Sequence, residues 1–279
     1  MVSIELPEAH IFANQMNEAL QEKKIKSYDL RDIERMVKIG FIRNVSDFGD
    51  LVGRKITCVT SRGNTIRVRL DGGMNLLIGP EYGGVIRLVG EGGESPKYHL
   101  RLDFADGSRL IVRITSMGII SALKDSELEK SYLYRRDFLG GVSPDSEEFT
   151  FERFQELMGG ENRQIKPLLV GKEALFVGLS NSAYQDAIYR AGIHPKRRAS
   201  ELSEDELRAL YDAINAVIQE RLRLGGKDEF TDLYGNPGGY TPAMGPNMKG
   251  QNCPKCGVPI ERFAHGGGHV YLCPGCQRQ

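Results

Sequence analysis

The sequence predicts an α+β protein in three parts: an N-terminal β-sandwich with one helix, a helical domain, and a four-cysteine hairpin at the C-terminal end. Three observations lead there. Short alternating apolar runs split by glycine turns fill residues 56–114, helical periodicity replaces them after Pro144, and Cys253-Pro-Lys-Cys256 and Cys273-Pro-Gly-Cys276 stand near the end. With 279 residues, 40% of them hydrophobic, there is enough apolar surface for more than one core.

Taken in order, Ile11, Phe12, Met16 and Leu20 follow Pro7 at near-helical spacing, so one helix is expected to about Lys23. It is the only clear helix in the first half. Strands are expected at 56–59, 65–70, 75–78, 85–88, 98–104 and 109–114, with Asp71-Gly72 and Asp106-Gly107 as hairpin turns. Beyond Pro144, helices are expected at 148–158, 165–176 and 182–191. A fourth begins at the capping box Ser203-Glu-Asp-Glu206, whose stripe is Leu207, Leu210, Tyr211, Ile214 and Ile218. Residues 223–250, rich in Gly, Pro and Asn, suit a loop-dominated connection. The expected domains are 1–135, 136–230 and 231–279.

Lys+Arg 37 balances Asp+Glu 37, so a nucleic-acid partner has to be met by a local basic surface and not by a basic whole. The N-terminus lacks the basic and apolar regions of a signal peptide, and no apolar run approaches the ~18 residues needed to span a bilayer. The expected compartment is the cytoplasm, with nucleoid association in a bacterium. Of 5 cysteines, four fall in C-x-x-C pairs, which in a reducing compartment read as metal ligands. Two such turns can offer four thiolates tetrahedrally to one Zn2+, and four sulfurs leave no open position, so the zinc is expected to be structural, held by Cys253, Cys256, Cys273 and Cys276. His265 and His269 read as hairpin residues, and Cys58 as a buried strand thiol.

Gly178-Leu-Ser-Asn181 precedes a helix, where backbone N–H groups either hold a phosphate or are merely capped by Ser180 or Asn181. Downstream, Lys196, Arg197 and Arg198 follow a helix stop; they either reach phosphates or form a solvated basic turn.

Those segments belong to a longer set: Glu5-Leu-Pro-Glu8, Ile165-Lys166-Pro167, Asn181, Ala191-Gly-Ile-His-Pro195, Asp232-Leu-Tyr-Gly-Asn-Pro-Gly-Gly-Tyr240, and the cysteine pairs with Gly257, Pro259 and Gln277. In these the chain resembles the formamidopyrimidine-DNA glycosylase and endonuclease VIII group, over nearly its whole length and most specifically in the last hundred or so residues. The resemblance implies a β-sandwich, a helix-two-turn-helix domain and a zinc hairpin gripping double-stranded, damaged DNA. It makes Asn181 a phosphate-binding residue and Lys166 a candidate helper. An N-terminal proline amine in this group attacks the sugar carbon, the following glutamate moves protons, and a Schiff base permits strand cleavage.

The chain departs from that pattern. Ile4 stands at the proline position behind Met1-Val-Ser3, so its nitrogen is an amide. Asn64 stands where the group carries a lysine, and Gly268 where its zinc hairpin carries an arginine. Ile78-Gly-Pro-Glu-Tyr82 and Ser116-Met117-Gly118 replace the segments that fill the space of a flipped base, a step costing a few kcal/mol. Glu5 remains, either as general acid or base or as a helix-start residue facing the dipole. Processing to expose the Val2 amine, with an ordinary pKa of about 7.7–8.0, is a second route to a nucleophile.

Three readings follow: a base-excision-repair DNA glycosylase, with or without strand-cleaving lyase activity; a catalytically inactive binder of damaged DNA or DNA structure; and an interaction adaptor, which has no positive feature. A monomer is expected.

Overall fold

The first helix is α1 (Leu6–Leu20), which packs one face into the core of the sheet unit. Glu5 is its N-cap, Pro7 lies in its first turn, and the Glu8 carboxylate accepts from the Glu5 amide at 3.1 Å. Leu6, Ala9, Phe12, Ala13, Met16 and Leu20 are all buried, the i, i+3, i+4 stripe of a helix with one apolar face. These features come from a computed structural model that describes residues 3–278.

The strands form one seven-stranded sheet in the order β1 (Ile25–Leu30), β6 (Leu100–Phe104), β7 (Arg109–Lys124), β5 (Met74–Val89), β4 (Thr65–Leu70), β3 (Ile56–Arg62), with β2 (Ile42–Arg43) parallel to β7. The expected runs at 75–78 and 85–88 are one strand, because β5 continues through 79–84. Pairing of β5 with β7 shifts register between Gly79 and Tyr82 and again between Tyr82 and Gly84. A Cβ at Gly118 would lie 2.5 Å from the Gly79 carbonyl oxygen, so two backbones cross at a distance that only glycine allows. The two layers of the expected sandwich are thus halves of one sheet. A single core serves both, with Ile66, Val68 and Ile78 from one half and Ile86, Leu100, Phe104 and Val112 from the other.

Asp71-Gly72 and Asp106-Gly107 do turn the chain between paired strands. Three elements escape the periodicity: β1, β2 and α2 (Ile33–Lys38). In β1 and α2 only Ile25 and Met36 are buried, so there is too little apolar alternation to read.

The remaining helices are α3 (Phe151–Gly159), α4 (Ile165–Leu169), α5 (Asn181–Arg190) and α6 (Glu204–Arg223). The Ser203 box forms in both directions, Ser203 N–H to Glu206 at 2.9 Å and Glu206 N–H to the Ser203 hydroxyl at 3.2 Å. The helix expected to run to Phe176 ends at Leu169. Val170 is extended and Gly171 has φ +114°, which frees Phe176 to bridge Val142 and enter an aromatic cluster with Phe149, Phe154 and Tyr211. Last come β8 (Glu261–His265) and β9 (Gly268–Leu272). Gly266 and Gly267, at φ +53° and +77°, make the two-residue turn between them, as a tight hairpin requires.

The chain forms two compact units, each discontinuous: Met1–Leu139 with Leu224–Gly239, and Gly140–Arg223 with Tyr240–Gln279. The connection expected as a linker is therefore shared out. Its 224–239 part packs into the sheet unit, where Phe230 sits 4.9 Å ring to ring from Phe12 and Arg87 donates to the Asp232 carbonyl at 2.6 Å. No described helix is long and apolar enough to cross a membrane.

Candidate nucleic-acid site and metal centre

In the sheet unit the chemistry gathers at the start of α1. Glu5 is fully buried. The Ser3 hydroxyl donates to Glu5 Oε1 at 2.9 Å, and Lys227 Nζ lies 3.7 Å from the same oxygen. Lys227 also donates to the Ser3 hydroxyl at 2.6 Å and to the Ser3 carbonyl at 2.8 Å, while its own amide donates to Glu8 Oε1 at 3.2 Å. A carboxylate this deep must be paired and hydrogen-bonded, and here both a cation and a hydroxyl meet it. The residue read from the sequence as a candidate general acid or base is also the N-cap of α1.

Through the Ile4 amide the site adjoins a second, partly buried cluster. The Ile4 amide donates to the Glu81 carbonyl at 2.9 Å, so the nitrogen at that position is engaged as a donor. Arg136 pairs with Glu81, reaches Asp137 at 2.7 Å and donates to the Asn64 side-chain carbonyl. Burial works against the Arg136 charge, but Asp137 and Glu81 outweigh it and raise its hold on the proton. A guanidinium therefore occupies the neighbourhood of Asn64. Val2 lies outside the described residues.

The helical unit assembles another group of sequence-selected residues. Asn181 opens α5 and donates to the His269 carbonyl at 2.9 Å, while its buried Oδ1 accepts from no donor among the described residues. Lys166, on α4, donates to the His265 carbonyl at 2.6 Å, and burial lowers its pKa. A Cβ on Gly266 would meet the Lys166 side chain at 3.0 Å, so the glycine tip leaves room for that lysine. Lys196 Nζ lies 5.1 Å over the Phe263 ring. Arg197 is forked onto Glu206 at 3.0 and 3.1 Å, and Arg198 donates to the Asn162 carbonyl at 2.7 Å. Together with Gln164 and Glu201, the three cations line a shallow surface hollow.

The four cysteines meet. Their sulfurs all lie within 4.8 Å of one another, with Cys253–Cys276 at 3.7 Å and Cys256–Cys273 at 3.3 Å. Zinc–sulfur bonds of about 2.3 Å at tetrahedral angles need sulfurs roughly 3.7 Å apart, so the donor set fits a metal ion. Both knuckles use one turn: Gly257 N–H donates to the Cys253 carbonyl at 2.8 Å and Gln277 N–H to that of Cys273 at 2.9 Å. His265 and His269 do not join the cluster. The Gln277 side chain donates to the Ile193 carbonyl at 3.0 Å and Gln185 accepts from the Tyr271 amide at 2.7 Å, which fastens the hairpin to the end and side of α5.

Family models match two stretches, the formamidopyrimidine-DNA glycosylase N-terminal domain over residues 4–115 and the formamidopyrimidine-DNA glycosylase H2TH domain over residues 140–231. A formamidopyrimidine-DNA glycosylase of Roseiflexus is 31% identical over 98% of this chain and 99% of its own length. The chain belongs to the formamidopyrimidine-DNA glycosylase family. The Streptococcus mutans relative is 26% identical over 99% of both chains. Among solved structures, a complex between the Lactococcus lactis family member and DNA containing an abasic site superposes with a TM-score of 0.84 at 25% identity, covering 99% of this chain and 100% of the other. The Thermus thermophilus protein gives 0.82 at 28% identity over 98% of each. Family membership accounts for the sheet and the helical domain; the group at Glu5 contains residues that no sequence motif singles out. Ser3 lies ahead of the family segment, and Lys227 follows the Gly225-Gly226 pair in a stretch with the composition of a linker. A lysine in a glycine-rich stretch is the one signal that the sequence offers.

Proposed function

We propose that this protein is a base-excision-repair DNA glycosylase acting on damaged double-stranded DNA, with Glu5 moving the proton at the sugar. The observation that carries the reading is a fully buried carboxylate held between the Ser3 hydroxyl and the Lys227 ammonium, in a chain of this family. Its relatives are named for that activity, and one is solved on abasic-site DNA. Glu5 is placed to give a proton to a leaving base, or to take one from an attacking water or amine, the two directions of general acid–base catalysis. Lys166, Asn181, Lys196, Arg197 and Arg198 are proposed DNA-backbone contacts. Asn181 has an unmatched acceptor beside its bonded amide, so its side chain suits a ligand that brings a donor or a water-bridged phosphate. The sheet unit, 1–139 with 224–239, is proposed for the chemistry, and the helical unit, 140–223 with 240–279, for the backbone contacts.

Zn2+ is the ion proposed for the cysteine cluster, since four thiolates within 4.8 Å of one another match its softness and geometry. It ties the hairpin to the helical unit and takes no part in the reaction.

A second reading, a DNA binder without chemistry, is favoured by one observation: the nitrogen at position 4 is an amide donating to the Glu81 carbonyl. Glu5→Gln separates the two. In the glycosylase, base release from oxidised or alkylated duplexes falls by at least about 100-fold while damaged-DNA affinity stays within about threefold. If the unaltered protein releases no base and cuts no strand across such a panel, the binder reading replaces it.

A further inference from the structure

The amine that this family's chemistry needs is absent at position 4, yet a primary amine stands beside Glu5. Lys227 Nζ is held by acceptors alone: the Ser3 carbonyl at 2.8 Å, the Ser3 hydroxyl oxygen at 2.6 Å, and Glu5 Oε1 at 3.7 Å. The Ser3 hydroxyl in turn donates to Glu5 at 2.9 Å. Nitrogen, hydroxyl and carboxylate therefore form a continuous hydrogen-bonded line. Both ends are buried, with the Lys227 side chain 6% and the Glu5 side chain 0% exposed. A hydroxyl also bridges Arg136 and Asp137, through Thr65, but there the cation is a guanidinium that keeps its protons. A nucleophilic lysine needs a path by which its ammonium proton leaves, because only the neutral amine has a lone pair.

We propose that Lys227 is the nucleophilic amine of this site, activated through Ser3 by Glu5. This rests on the glycosylase reading above and adds to it a covalent step. A proton passes from Lys227 Nζ to Ser3 Oγ as the Ser3 hydroxyl proton passes to Glu5, leaving a neutral amine and a carboxylic acid. The amine lone pair then forms a bond to C1′ of the opened abasic sugar, the C=O pair moves to oxygen, and a nitrogen proton follows it to give a carbinolamine. The new hydroxyl takes the Glu5 proton and leaves as water while the nitrogen lone pair forms C=N. The products are an iminium on Lys227, one water and a restored Glu5 carboxylate. A lysine amine makes such a Schiff base and a guanidinium does not, although a guanidinium preserves the pairing with Glu5.

The test is borohydride reduction of the full-length protein on duplex DNA with one abasic site, followed by peptide mapping of the cross-linked residue, with base release measured in parallel. The expected result is a reduced DNA adduct on the peptide containing Lys227. Lys227→Arg should abolish the adduct while its melting temperature stays near that of the unaltered protein; Lys227→Met should abolish it as well. Mapping on the unaltered chain does not depend on either variant folding. An adduct on the N-terminal amine, or base release with no adduct at all, overturns the assignment and leaves the glycosylase reading standing. Absence of base release, strand cleavage and adduct together overturns both.

Discussion

Glu5 and Asp137 are both buried carboxylates beside a cation, and the cations differ in kind. Glu5 faces a hydroxyl and an ammonium that can pass protons. Asp137 is 2% exposed, lies in a single π turn (Tyr134–Phe138), and also accepts from a hydroxyl, that of Thr65, but its cation is the Arg136 guanidinium, which holds its protons at neutral pH. Removing one member of a buried pair strands the other charge, so Asp137→Ala should destabilise the sheet unit by about 3–5 kcal/mol, read from the denaturant midpoint. A shift below about 1 kcal/mol would mean that water reaches Arg136 freely. Gly63 belongs to the same arrangement. It has φ +56°, and a Cβ there would lie 2.9 Å from the Asp137 side chain, so the turn before Asn64 is shaped around this carboxylate. The Arg-Gly of this turn is visible in the sequence. Its partner, Arg136 with Asp137, is not, because nothing in local spacing joins residue 64 to residue 136.

Among the elements, the hairpin depends most on something other than its own packing. Gly266 and Gly267 add no side chains, and no β8 residue is buried; the buried apolar residues are confined to Val270, Tyr271 and Leu272 of β9, Cys253 and Cys273 of the knuckles, and Tyr189 and Met244 beside them. Metal ligation is then much of the folding free energy of this element. Chelation, or Cys253→Ser, should expose residues 240–278 to limited proteolysis while 1–139 stays protected, and the metal content of the variant should fall with it. Full metal retention by the variant would remove Cys253 from the ligand set. The spacing of the cysteine pairs alone makes this centre legible, since ligand geometry is written in local turns. The short α4 is not legible: its expected continuation to Phe176 fails at Val170 and Gly171, where Phe176 leaves helical spacing to join the aromatic cluster. Tertiary packing overrides a periodic pattern there.

For the molecule as a whole, the 37 basic and 37 acidic residues leave no net charge to draw DNA, so affinity has to come from where cations are placed. Two of the sequence-selected cations differ in availability. Arg197 is already forked onto Glu206, while the Lys196 amine lies over the Phe263 ring. Lys196→Ala should therefore reduce the salt slope of DNA binding by about 0.9, one phosphate contact, with little change in stability. Arg197→Ala should reduce the slope less and also lower the melting temperature, because Arg197 reaches a phosphate only by giving up Glu206, which the change leaves without its cation. Equal effects of the two changes on the salt slope would mean that the Arg197–Glu206 pair opens fully on binding. By itself the sequence determined the strand-to-helix change near residue 140, the capped α6, the four-thiolate centre and the family, all of them properties carried by short-range spacing or by linear motifs. Tertiary structure alone decided that two sheets are one sheet bent at 79–84, and that Lys227 meets Ser3 from 224 positions away. The physical reason is the same in both cases: bends and buried ion pairs are settled by which distant segments share a core, and a one-dimensional pattern records only which face of each segment is apolar.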